Sequence, residues 1–282
     1  MLKQRVITAL VMMLVLLPAL FYPSSIPFCG IAVVMIAAAA WEWGRLAGYG
    51  SVASFGVGAA CAAMSLAAWY AGWLDHKMPL LWGAVGGLWV LLGAGMLHGG
   101  VAAWSALPRP VRLLGGLLAL WLAWLAVAQA RVIGVNFLLS VMSLVWVADI
   151  FAYFAGRAWG GRFSRTKLAP TISPGKSWEG VWGGMVGVLI LAGVWLWADV
   201  ASGAAVPSLY SLVYGRAWWL LPIAVLFMAA MSVVGDLVES LIKRSAGVKD
   251  SSGLLPGHGG VLDRLDALLP TLPLAMMLHS SL

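Results

Sequence analysis

The C-terminal half of the chain places acids where an apolar sequence can least accommodate them. In VVGDLVESLIKR, Asp236, Glu239 and Lys243 fall at i, i+3 and i+7, on one face of a helix. A salt bridge with Lys243 accounts for one acid and leaves the other over. Carboxylate oxygens are hard ligands suited to Mg²⁺, so Asp236 and Glu239 read as a metal or phosphate site. Downstream, SSGLLPGHGGVLDRLD sets Pro256, Gly257, Gly259 and Gly260 in a sharp turn around His258, with Asp263 and Asp266 at i and i+3. Acids there would suit the first turn of the last helix. Capping explains one Asp and hardly the whole run.

Asp149, Tyr153 and Arg157 share one stripe of an apolar segment. They read either as a packed Asp–Arg or Asp–Tyr pair between helices, or as the wall of a site. The loop that follows carries Arg157, Arg162, Arg165, Lys167 and Lys176, with glycines at 156, 160 and 161. Ser173-Pro174 reads as an N-cap and first helical residue. That start would put Lys176 and Ser177 in the first turn and aim free N–H groups at an anion. The plainer alternative is a basic loop touching anionic headgroups. Metal-bound phosphates beside Lys and Arg are the parts of phosphoryl and nucleotidyl transfer.

What must position these residues is a membrane fold. The chain has 282 residues, 62% hydrophobic and 10% charged, with mean hydropathy +0.96; an ordinary globular chain is about 25% charged. A soluble domain is excluded. The net charge of +7 is not a nucleic-acid signature, because the cations sit between apolar runs. Cys29 and Cys61 read as small buried thiols, and His76, His98 and His279 as structural.

A bilayer core takes about 20 apolar residues per helix. The runs fall at 6–22, 26–41, 53–74, 79–97, 111–129, 133–155, 178–198, 217–240 and, more weakly, 264–281. The expected fold is therefore all-α and polytopic, with about nine transmembrane helices. The first run lacks a small-residue cleavage site and reads as a retained span. With the N-terminus cytoplasmic, 14 of the 17 cations lie inside, and only Lys77, Arg131 and Arg216 outside. That bias favours an odd number of spans and an outer C-terminus; an eight-span chain would end inside. Residues 1–148 hold two acids, Glu42 and Asp75, and the remainder holds eight. Residues 1–132 read as a transmembrane scaffold. Residues 133–282 read as the catalytic region, with cytoplasmic loops 156–177 and 243–263.

The run from Ser240-Leu-Ile-Lys-Arg244 through Lys249-Asp250 to Leu255-Pro-Gly-His-Gly-Gly-Val-Leu-Asp-Arg-Leu-Asp266 resembles the signature of the phosphatidate cytidylyltransferase (CDP-diacylglycerol synthase) family. Ala148-Asp149…Tyr153…Gly156-Arg157 and Ser173-Pro174…Lys176-Ser177…Glu179-Gly180 are similar to it as well. One departure is Gly175, which stands where the family usually has a first lysine after Ser-Pro. The resemblance implies conversion of CTP and phosphatidate to CDP-diacylglycerol and pyrophosphate for phospholipid biosynthesis. It implies Mg²⁺, with a second cation left open. It also implies a homodimer with a polar cavity open to the cytoplasm and sideways to lipid. Short loops and the absence of a long N-terminal extension point to a bacterial inner membrane.

Carried onto this chain, the resemblance makes Asp236 and Asp263 metal ligands, with Glu239 beside them, and brings Lys243 to the reacting phosphates. Lys249, Asp250, His258 and Asp266 complete the catalytic run. Arg157, Ser173, Lys176, Ser177, Arg244 and Arg264 would hold substrate phosphates, with Asp149 and Tyr153 as site wall. His258 has two candidate roles, general acid or positioning of its turn; pyrophosphate held by Mg²⁺ and lysines is already a good leaving group, which favours positioning. Two other functions compete. A lipid or polyprenol kinase shares the phosphate logic without this motif. A cation-coupled carrier predicts acids in both halves.

Overall fold

The computed structural model describes residues 2–164 and 166–282, with side chains from Gln4 onward. Arg165 and the Lys3 side chain, both counted above among the inner cations, lie outside the described residues. Ten α-helices follow in order: α1 Leu2–Phe21, α2 Ile26–Leu46, α3 Ser51–Tyr70, α4 Pro79–Ala106, α5 Arg109–Ile133, α6 Val135–Trp159, α7 Trp178–Ser202, α8 Leu209–Arg216, α9 Leu220–Ser245 and α10 Leu268–Ser281. Among the described residues there is no β-strand. All of α1–α7 and α9 are long and apolar enough to cross a bilayer. Their alternation gathers most of the described cations at one end, hereafter the basic end.

Two expectations need correction. The short α8 lies within what reads in sequence as a loop. It is held by Asp199, which accepts from the Ser208 N–H (3.2 Å) and the Ser211 hydroxyl. The ninth run is not a full-length span either. α10 has 14 residues, about 21 Å against a core of about 30 Å. The chain after α9 folds back beside it, so that a Cβ on Gly235 would lie 2.5 Å from the Asp266 carbonyl. α10 runs from there, packed against α4, α5 and α9. It ends with His279 against Phe137 (ring centroids 5.2 Å), at the start of α6 and opposite the basic end.

Small residues set the helix pair that carries the site. Along α7, Gly180, Gly183, Gly184 and Gly187 face Ala152, Ala155, Ala148 and Phe151 of α6. A Cβ on Gly184 would stand 2.9 Å from the Ala148 carbonyl. In lipid, where apolar burial gives helices no reason to associate, such close backbone approach drives packing. It fixes the α6 stripe of Asp149 and Tyr153 against the start of α7.

Candidate active site

α6, α7 and α9 enclose a cavity of about 470 Å³ lined by Asp149, Tyr153, Arg157, Lys176, Ser177 and Asp236. Arg157 donates to the Tyr153 hydroxyl at 2.9 Å, so the stripe of α6 forms a polar wall. Lys176 makes an ion pair with Asp236, joining the 156–177 loop to α9. Two turns further along α9, Lys243 sits between two acids, paired with Glu239 and 2.7 Å from Asp263. Glu239 is 2% exposed and neither of its oxygens has a well-formed hydrogen bond.

Ser173 does not cap α7. It closes a tight turn, donating its N–H to the Ala169 carbonyl at 2.9 Å. The cap is Ser177, whose hydroxyl accepts from the Gly180 N–H at 3.2 Å. Pro174 and Gly175 lie in the turn that follows Ser173, Ser177 is extended (φ −126°, ψ 158°), and Lys176 between them reaches Asp236. Lys176 and Ser177 thus precede the helix rather than occupying its first turn. Ser173 itself is not part of the cavity wall. Glu179 holds the loop, accepting from the N–H groups of Phe163 (3.0 Å) and Ser164 (2.8 Å).

Asp263 and Asp266 lie before α10, not in its first turn. Asp263 belongs to the 3₁₀ turn Leu262–Arg264. It accepts from Lys243, from the Gly260 N–H at 2.7 Å and from the Ser251 N–H at 3.0 Å. Burial opposes its charge, but these donors outweigh it and hold the carboxyl down to about 2. Asp266 lies beside Gly235, next to Asp236. Arg244 donates to the Ile172 carbonyl at 3.3 Å, tying α9 to the first loop. Lys249 and Asp250 are exposed at the basic end.

The turn around His258 uses Gly257 and Gly259 at φ of +78° and +84°, conformations that side chains with a Cβ avoid. His258 is absent from the lining of the cavity that holds Asp149 and Asp236. It lines a second, apolar cavity together with Arg264.

One contributor has no counterpart in the motif reading. Glu42, on α2, is fully buried and accepts from the hydroxyls of Ser251 and Ser252 and from the N–H groups of Val261 and Leu262. The only sequence signal was an acid inside AAAAWEWGR. From α1, Arg5 and Thr8 donate to the carbonyls of Gly257 and Pro256.

This pairing of lysines with carboxylates, in a cavity of a membrane bundle, suits handling of phosphate groups. A family model described as the cytidylyltransferase family matches residues 3–282. The chain belongs to the cytidylyltransferase family. A relative named phosphatidate cytidylyltransferase from Pseudomonas aeruginosa is 40% identical over 281 residues, covering 97% of this chain and 95% of its own. Others of that name match about half of this chain. The one from Haemophilus influenzae is 49% identical over 140 residues, half of this chain and 44% of its own length. The Bacillus subtilis protein is 38% identical over 140 residues, covering 50% and 46%. Across the family model the match includes α2 and Glu42 as well as the loops.

Proposed function

We propose that this protein is a phosphatidate cytidylyltransferase of the bacterial inner membrane, working at the cytoplasmic face to supply phospholipid synthesis. The observation that carries the reading is the alternation of Lys176, Asp236, Lys243 and Asp263 across one site in a chain of this family. A phosphate oxygen of phosphatidate attacks the α-phosphorus of CTP. The new P–O bond gives CDP-diacylglycerol, and the bond to the β-phosphate oxygen breaks to release pyrophosphate. The attacking monoester is largely ionised at neutral pH, its second pKa being about 6, so no general base is required. The obstacle is repulsion between two polyanions. The protein's work is charge neutralisation and alignment.

Lys176, with Arg157 and Ser177, is placed to receive nucleotide phosphates in the cavity of α6, α7 and α9. Lys243 holds the reacting phosphates on the side of Asp263. Asp149 and Tyr153 orient the substrates, and Arg244 and the Lys249–Asp250 turn flank the opening. The donor set fits Mg²⁺. Among the described residues no three acids or His converge on one point, but Mg²⁺ takes one or two carboxylates together with substrate phosphates and waters. Asp236 and Asp263 would hold it, with Glu239, buried and paired with Lys243, beside them. When bound, the ion supplies neutralisation of phosphate charge. The reading includes a homodimer, which cross-linking in native membranes would test.

The test is purified protein with phosphatidate, Mg²⁺ and CTP labelled at either the α- or the γ-phosphate. Lipid-extractable α-label is expected. Transfer of γ-label to a lipid alcohol would make it a kinase, and no transfer of either would overturn the reading.

A further inference from the structure

The second cavity plays no part in the reaction as described above. It has a volume of about 500 Å³ and lies between α1 and the faces of α2, α5, α6 and α10, within the range of about 300–1,000 Å³ usual for ligand sites. Its walls are apolar, Met12, Met35, Met142, Trp146 and Leu269 among them. α1 stands off the bundle and is tied down at its base, where Arg5 and Thr8 each donate at 2.9 Å to the turn around His258. From Ala9 to Phe21 the cavity follows about 18 Å of helix, close to one leaflet of a core about 30 Å thick.

One end is polar, and only in one sense. Arg264 donates to the His258 carbonyl at 2.9 Å and otherwise remains exposed. Arg5 is held the same way on the Gly257 carbonyl. His258 Nδ1 is buried without a hydrogen-bond partner. No acid lines the groove. An apolar groove one leaflet long, lined at one end by Arg264 and His258 with Arg5 held on the adjoining turn, complements a lipid bearing an anionic phosphate.

The groove and the catalytic cavity are neighbours. Trp146 faces the groove and Asp149, three residues later on α6, faces the cavity. Arg264 lies in the groove, two residues before Asp266, whose carbonyl packs against Gly235 beside Asp236 of the cavity.

We propose that the groove behind α1 holds an acyl chain of phosphatidate and that Arg264 hands its phosphate across to the cavity of Lys176 and Asp236. The two substrates then approach from opposite sides of α6, the nucleotide from the cavity and the lipid from the groove. This assignment rests on the function proposed above.

Phosphatidate carrying a diazirine in one acyl chain, irradiated with the wild-type protein, tests it without any variant. Label is expected on Met12, Met35 or Met142 and is expected to be displaced by unlabelled phosphatidate but not by phosphatidylethanolamine. Label confined to Met185 and Val233, on the other side of α6, overturns it, as does equal displacement by both lipids. In parallel, Met142→Trp fills the groove. The ratio of kcat/KM for dipalmitoyl over dihexanoyl phosphatidate is expected to fall at least tenfold. Leu91→Trp, on the exposed face of α4, keeps the wild-type ratio. An unchanged ratio in Met142→Trp, while wild type still forms CDP-lipid, removes the groove and leaves the function standing. A wild type that forms no CDP-lipid removes both.

Discussion

Glu42 and Asp263 share the hydroxyl of Ser251, which lies 3.1 Å from one and 3.0 Å from the other. A hydroxyl has one proton, so it serves one carboxylate at a time, and the backbone N–H groups around it do the rest. Through this link a residue of the first half of the chain sets the loop that orients Asp263. Removing the acceptor leaves buried donors unpaired, at about 1–3 kcal/mol each. Glu42→Ala is expected to lower the melting temperature in detergent and cut kcat at least tenfold. Full kcat in that variant would show that the loop holds its geometry without α2.

The Lys243–Asp263 pair predicts a pH dependence of stability. The folded carboxyl lies at about 2, against about 3.9 for an unperturbed Asp. A depressed carboxylate contributes fully above the unfolded value, and the contribution is lost as pH falls through the folded one. Some 2–3 kcal/mol is therefore expected to disappear between about pH 4 and 2. Thermal melts of metal-free protein would show a steeper fall in wild type than in Asp263→Asn. Parallel curves for the two proteins would contradict the assignment.

Lys243→Arg keeps the charge and changes its geometry. A guanidinium is a planar fork where the ammonium is a compact point, and Lys243 is wedged between Glu239 and Asp263 with 12% of its side chain exposed. Loss of kcat by at least a hundredfold is expected in CTP turnover. A change confined to KM for CTP would instead mean uniform binding of ground and transition states.

These acids and lysines are legible in sequence because charge is rare in so apolar a chain, and its spacing on α9 survives folding unchanged. Glu42 was visible only as an isolated acid. Its partners lie more than two hundred residues away, and no local period encodes that distance. The helix start at Ser177 was hidden because Ser-Pro is the stronger local signal. Only the tertiary pairing of Lys176 with Asp236 shows why the chain stays extended past Gly175. The length of α10 was obscured for a similar reason, since the apolar run does not reveal that the chain has already turned back into the bundle.

The α6–α7 seam predicts a variant remote from the charges. Gly184→Val puts a branched side chain where even a Cβ would stand 2.9 Å from the Ala148 carbonyl. Overpacking of this kind costs about 1–3 kcal/mol. A lower melting temperature is expected, together with reduced turnover, because Asp149 adjoins the contact. Gly193→Ala, with nothing within 4 Å, serves as control. Equal stability of the two variants would show that the seam can open freely.

His258 decides between two roles. Its backbone builds the turn, the N–H donating to the Leu255 carbonyl at 2.8 Å and the carbonyl accepting from Arg264 at 2.9 Å. His258 lines the apolar groove and not the cavity of Lys176 and Asp236. A general acid must reach the leaving oxygen and is worth about 10²–10⁴-fold; His258 is not among the residues lining the cavity of Lys176 and Asp236. Positioning is therefore favoured, and the effect should fall on the lipid. His258→Gln is expected to lower turnover only several-fold, to raise KM for phosphatidate more than KM for CTP, and to leave the pH–rate profile in place. A thousandfold loss of kcat accompanied by disappearance of an ionisation from that profile would reverse the assignment and make His258 the proton donor.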